Sequence, residues 1–174
     1  MKNMKIKKTY FASLQMRNAL LRIEKQMDED GFAPDIVLGI NRGGCIPGVY
    51  MSHRLDIPHE VLDVRLRDHH AKPDLRVLEK AYAFQKKILI IDDINDSGAT
   101  LNHIEANFGK GDGRIKFVCL VHNKPSKAHV DWYGYEIDKS KDPSWIVFPW
   151  EEWSGNKIDT PKLIESYEQM DLFN

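Results

Sequence analysis

The stretch Ile88-Leu-Ile-Ile-Asp-Asp-Ile-Asn-Asp-Ser-Gly-Ala-Thr-Leu101 joins an apolar run to three carboxylates and then to small hydrogen-bonding residues. Lys87 to Ile91 is rich in β-branched side chains and does not alternate with polar ones, which predicts a strand covered on both faces. A helix is predicted from near Ser97 to about Phe108. Backbone N–H groups at a helix start, aided by Gly98 and the hydroxyls of Ser97 and Thr100, form a phosphate cradle. Asp92 and Asp93 would repel a phosphate, so they need a different partner. Ionised carboxylates only accept hydrogen bonds, which leaves neighbouring sugar hydroxyls or a hard divalent cation. A ribose 5-phosphate unit satisfies both halves of the stretch.

Outward from this segment, strands and helices alternate. Met16, Ala19, Leu20, Ile23 and Met27 fall at helical spacing between Ser13 and Asp30, with Ser13 as the expected N-cap and Gly31 and Pro34 as the stop. Asp35 to Ile40 reads as a buried strand, and Pro47 opens a helix to Leu55. Glu60 to Arg65, Ile115 to Val121 and Trp145 to Phe148 are further strand candidates. Leu75, Val77 and Leu78 mark a weak element, and Thr160-Pro161 opens a last helix carrying Leu163, Ile164 and Tyr167. The pattern predicts an α/β fold, a single domain over 1–174 with a mainly parallel central sheet flanked by helices. Ligands of such sheets sit beyond the carboxyl ends of the strands, at the switch point. The residues after Ile40 and after Ile91 are therefore the informative ones.

Composition narrows the class. The 174 residues fit one domain, and a formal charge of -1 gives no general attraction to nucleic acid or to an anionic membrane. Cys45 and Cys119 form neither a disulfide framework nor a metal-ligand spacing, so a reducing, cytoplasmic setting is expected. The basic start, Met1 to Lys8, is followed by no apolar segment of a secretion signal, and no stretch approaches a spanning helix.

Several common phosphate motifs do not fit. No Gly-Lys-Ser/Thr triplet is present for a P-loop, and Gly109-Lys-Gly-Asp-Gly113 lacks the dinucleotide spacing and follows a helix. A receiver domain carries its acidic pair after the first strand. Asn95-Asp-Ser97 would be a glycan acceptor only in a secreted chain.

Ile88 to Leu101 closely resembles the phosphoribosyl-pyrophosphate (PRPP) signature of type I phosphoribosyltransferases. The resemblance implies that Asp92 and Asp93 hold the ribose hydroxyls, that Asp93 also touches Mg²⁺, and that Asp96, Ser97, Gly98, Ala99 and Thr100 wrap the 5-phosphate. Asn41-Arg42-Gly43-Gly44 is similar to the family's pyrophosphate loop, with Arg42 and Gly43 at the anion. An arginine fork and unobstructed backbone N–H groups suit that task. Arg65, Arg67, His69, His70 and Lys72 stand where the family carries a mobile lid, although a solvated loop fits them equally. The Ser-Tyr pair of several purine enzymes is missing there.

His122-Asn-Lys-Pro125 and Pro143-Ser-Trp-Ile-Val-Phe-Pro-Trp150 are similar to the purine branch, most nearly to the bacterial xanthine–guanine enzymes. That implies Lys124 on the purine 6-oxo group, Trp145 stacking on the ring, and the Ile146 backbone at the ring edge. Phe148 and Trp153 read as core or interface aromatics. The resemblance covers about Phe32 to Glu152, with 143–153 as a hood over the base and 154–174 as a helical extension. It implies a homo-oligomer, dimer or tetramer, and a PRPP-dependent pentosyltransferase of purine salvage. Asp96 is then the candidate for moving a proton. The rivals are a PRPP-sensing regulator of the same fold and an enzyme for another nucleobase. A third rival, a PRPP synthetase-like fragment, fits less well, since those chains need a further ATP-binding domain and 174 residues are too short for one.

Overall fold

The computed structural model describes residues 7–64, 73–108 and 112–151. A five-stranded parallel sheet runs through its centre. Its strands are β2 (Ile36–Ile40), β3 (His59–Leu62), β4 (Ile88–Asn95), β5 (Ile115–Asn123) and β6 (Trp132–Ile137), in the order β3-β2-β4-β5-β6. The chain leaves β2 through helix α2 (Cys45–Leu55) toward β3, and leaves β4 through α4 (Ala99–Phe108) toward β5 on the other side. The switch point therefore lies between the carboxyl ends of β2 and β4. The expected α/β architecture is present.

The absence of polar alternation in the strands has a direct cause. Leu89, Ile91, Val118 and Leu120 point into one core with Met16, Ala19, Ile23 and Met27 of α1 (Ser13–Glu29) and Met51 of α2. Ile88, Ile90 and Cys119 point into a second core with Leu78 and Ala81 of α3 (Arg76–Ala83) and Leu101 and Ile104 of α4. A strand with both faces covered has no position for a polar residue until it leaves the sheet.

Several boundaries differ from the sequence reading. Ser13 is the first helical residue of α1 and not its cap; the Ala12 N–H donates instead to Gln15 Oε1 at 2.7 Å. The helix after the glycine turn begins at Cys45, two residues ahead of Pro47. Strand β3 ends at Leu62, and Asp63 forms an isolated antiparallel bridge with Asp74. The weak element near Leu75 is the helix α3.

Strand β4 continues past Ile91, because Asp92, Ile94 and Asn95 still pair with Cys119, Val121 and His122 of β5. The acids thus sit on a rigid strand end and not on a loop. Two strands were not anticipated. Trp132–Ile137 is an edge strand that contains Gly134, which weakens its strand signature. Lys8–Tyr10, here β1, is three exposed residues long and pairs in parallel with β7 (Trp145–Val147) in a separate two-stranded sheet. The cationic cluster at 65–72, Trp153 and the 154–174 extension with its expected last helix lie outside the described residues.

Candidate active site

A cavity of about 590 Å³ opens at the switch point. Its walls come mainly from Asn41, Arg42 and Gly43 after β2, from Asp92 to Leu101 at the end of β4 and start of α4, and from Trp145, Ile146, Phe148 and Trp150 of the β7 segment, with Val64 and Lys139 adding to them. The predicted ribose, phosphate, pyrophosphate and base residues all line this one space, with the exception of Lys124.

The turn from Ser97 to Thr100 owes its shape to Gly98, which has φ +86°. A β-carbon there would lie 2.5 Å from the Ala128 nitrogen, so the neighbouring loop presses against the turn from behind. The buried Asn95 holds that loop. Its Oδ1 accepts from Ser126 Oγ at 2.8 Å, and its Nδ2 donates to the Ala128 carbonyl at 3.1 Å. Asn95 Nδ2 also lies 3.2 Å from His122 Nδ1, which must accept and is therefore unprotonated. His122 stacks on Tyr133, and burial pushes its pKa below the ordinary imidazole value.

On the strand end, the Asp93 N–H donates to Asp92 Oδ1 at 2.9 Å and the Ile94 N–H to Asp93 Oδ1 at 2.7 Å. The glycine turn after β2 packs against them. The Gly44 N–H donates to the Ile40 carbonyl at 2.8 Å, the Asn41–Arg42 peptide is cis, and Gly43 abuts the Asp93 carboxylate. Arg42 is exposed on the cavity wall. Cys45, behind the turn, has its thiol pKa raised by burial and then by the charges of Asp92 and Asp63.

At the other end, Trp145 is 42% exposed and offers its ring to the cavity, while Phe148 is buried and stacks on Trp150 at 5.1 Å. The segment is held from the N-terminus: the Trp145 N–H donates to the Lys7 carbonyl at 2.8 Å, and Lys7 Nζ reaches Asp142 at 2.8 Å. Lys7 and then Ser144 hold the Asp142 carboxyl down at about 2.

Lys124 is exposed and does not line the cavity; its N–H donates to the Ile137 carbonyl. The lysine on the wall is Lys139, whose Nζ lies 2.8 Å from Asp96 Oδ2. Sequence reasoning missed Lys139 because it missed β6. With that strand recognised, Asp138-Lys139-Ser140 becomes another loop beyond a strand's carboxyl end, where ligand residues are expected.

Residues 8–153 match the family model for the phosphoribosyl transferase domain. The chain belongs to the phosphoribosyltransferase family. Its activity is PRPP-dependent transfer of a phosphoribosyl group. Among solved structures, this phosphoribosyltransferase is 32% identical to a purine phosphoribosyltransferase from Pyrococcus horikoshii, with 85% of this chain and 96% of that chain covered and a TM-score of 0.64. A xanthine-guanine-hypoxanthine phosphoribosyltransferase from Helicobacter pylori shares the fold at 18% identity, covering 91% and 99%, TM-score 0.62. A Neisseria gonorrhoeae protein with bound ppGpp does so at 16% identity, covering 97% and 100%, TM-score 0.66. The likeness thus reaches the purine phosphoribosyltransferases without singling out the xanthine–guanine enzymes. Among the described residues, no helix is long and apolar enough to cross a membrane.

Proposed function

We propose that this phosphoribosyltransferase transfers the 5-phosphoribosyl group of PRPP to a 6-oxopurine (guanine, xanthine or hypoxanthine) and releases pyrophosphate, in purine salvage. One observation carries the reading: a single cavity is lined by an acid pair, a helix-start turn, an arginine-glycine turn and an exposed tryptophan face. Each matches one part of the two substrates. Asp92 and Asp93 accept from the ribose hydroxyls; Asp96 to Thr100 cradle the 5-phosphate; Arg42 and the Gly43 backbone meet pyrophosphate. Trp145 stacks on the base and the Ile146 backbone meets its edge.

Magnesium fits this donor set. No group of three or more His, Cys, Asp or Glu able to hold a metal assembles among the described residues. Mg²⁺ characteristically takes one or two carboxylates and completes its shell with substrate oxygens and water. Asp93, against the glycine turn, is the residue that would hold it. Bound there, the ion would neutralise charge on the departing pyrophosphate.

In the reaction, the bond from the anomeric carbon to pyrophosphate oxygen breaks and a bond to a ring nitrogen forms. By analogy with other displacements at anomeric carbons, the transition state is oxocarbenium-like. Arg42 stabilises the leaving group, Trp145 aligns the base, and the ring N–H proton passes to Asp96.

The test incubates the protein with PRPP, Mg²⁺ and each of the three bases in competition. Nucleoside monophosphate and pyrophosphate in equal amounts are expected. PRPP binding with no nucleotide from any of the three bases would overturn the 6-oxopurine reading in favour of an enzyme for another nucleobase or a PRPP-sensing regulator.

A further inference from the structure

We infer that the loop from Ser126 to Ala128 sets the 5-phosphate turn in its anion-binding shape, and that Asn95 is the residue that positions this loop. The inference rests on the reading of residues 96–100 as the phosphate cradle. It goes beyond that reading by naming the residues that hold the cradle in shape and in register with the ribose acids. Ser126, Lys127 and Ala128 do not line the cavity, so they act through the turn and not on a ligand.

A cradle for an anion needs the N–H groups of its turn toward the ligand and the carbonyls turned away. The Lys127 N–H donates to the Ser97 carbonyl at 3.3 Å and so takes up an oxygen that would repel a phosphate. Beside it, Gly98 has room for no side chain. A β-carbon there would lie 2.7 Å from Ala128 Cβ and 2.9 Å from Ser126 Oγ. In the first turn of α4, Asn102 Nδ2 reaches the Lys127 carbonyl at 3.5 Å. The loop therefore meets the turn at Ser97, at Gly98 and at the helix start.

One buried amide holds the loop in turn. Asn95 is 2% exposed and ends β4, two residues beyond Asp93. By accepting from the Ser126 hydroxyl and donating to the Ala128 carbonyl, it grips both ends of the loop. Those partners also fix which way the amide faces, since its oxygen can only accept and its nitrogen only donate. The Ser126 N–H donates to the Asn123 carbonyl at 2.7 Å, which anchors the loop on β5 as well. The contacts thus run from the strand end bearing Asp92 and Asp93, through Asn95 and the loop, to the Ser97 carbonyl. They fix how far the ribose-binding carboxylates stand from the phosphate-binding N–H groups, a distance that a pentose 5-phosphate must match.

The experiment is calorimetry on wild type, Ser126→Ala and Asn95→Ala, with ribose 5-phosphate and separately with inorganic pyrophosphate, both in Mg²⁺. Ribose 5-phosphate needs the turn, whereas pyrophosphate is held by Arg42 and Gly43. For Ser126→Ala, the Kd of ribose 5-phosphate is expected to rise about 3- to 10-fold, the scale of one hydrogen bond. For Asn95→Ala it should rise about 10- to 100-fold, because two buried groups lose their partner. The Kd of pyrophosphate and the KM of the purine base should stay within about twofold of wild type, as at an independent site. Ser126→Ala removes a single oxygen and decides the matter should Asn95→Ala fail to fold. Unchanged ribose 5-phosphate affinity in Ser126→Ala, or an equal loss for ribose 5-phosphate and pyrophosphate, overturns the positioning role and leaves the cradle in place. A wild-type protein that does not bind ribose 5-phosphate overturns the reading of the cradle itself.

Discussion

Gly43 stands so close to Asp93 that a β-carbon at position 43 would collide with the Asp93 carboxylate. The turn after β2 and the acids of β4 are thereby one unit. Gly43→Ala is expected to rotate the Asp93 side chain away, because the obstacle is the end of a short side chain and not backbone. Circular dichroism should remain that of the wild type. PRPP affinity in Mg²⁺, read by calorimetry, should fall at least about tenfold, the equivalent of one misplaced charge-assisted contact. Unchanged affinity would remove this glycine–carboxylate packing from the account of the site.

Gly98 meets two obstacles at once, a φ of +86° and the Ala128 nitrogen. Gly98→Ala should cost about 1–3 kcal/mol of stability, a drop of several degrees in Tm. Gly31 supplies the comparison, with φ +66° and no atom within 4 Å of the place an added methyl would take. Gly31→Ala should lose clearly less, since it meets the backbone strain alone. Equal losses would show that Ala128 does not press on the turn.

Asp96→Asn should fold as the wild type does, since an amide oxygen can still accept from Asn123. Its kcat should fall by about 10²–10⁴, the usual range for a lost general base. A variant with wild-type turnover would take Asp96 out of proton transfer.

Trp145 and Phe148 lie three residues apart and should behave oppositely. Trp145 is exposed to the cavity, so Trp145→Ala should raise KM for the base by the worth of a stacking contact, about 1–3 kcal/mol, with Tm little altered. Phe148 is 1% exposed, in contact with Phe11 and Trp150, and its truncation should destabilise the fold by about 3–5 kcal/mol. Thermal melts and base-saturation curves on the two variants separate these roles.

Stability should fall as pH drops below about 6.5, the ordinary imidazole value. His122 and His59 both have pKa values lowered by burial, so between their folded values and 6.5 the unfolded chain binds more protons. Stability from these groups is complete above 6.5 and is lost as pH falls toward the folded values. Protonated His122 would also set a donor against Asn95 Nδ2. Thermal melts from pH 7.5 to 5.5, set on either side of that ~6.5 value, should show a shallower slope for His122→Gln than for wild type. Identical slopes would place the titration elsewhere.

How far the site could be read from the sequence depended on whether its signal was local. Asp92 to Thr100 is contiguous, so strand, acids and phosphate turn announce themselves within one short window. Lys139 has no such window. It follows an edge strand whose sequence pattern Gly134 weakens, and its neighbours Asp138, Ser140 and Lys141 look like any exposed turn. Ser13 misled although its signal is local: its hydroxyl suits a cap, but Ala12 stands at the cap position and its N–H donates to Gln15 Oε1.

The order of apolar runs and turns determined the α/β class, the parallel sheet, and the two places where a ligand would sit. These follow from burial and backbone chemistry, which act over a few residues at a time. Which lysine stands at the cavity, and that an N-terminal strand holds Trp145 in place, were decided only by tertiary structure. Both depend on contacts between segments far apart in the chain, Lys139 with Asp96 and Lys8 with Trp145, and no local pattern encodes such a meeting.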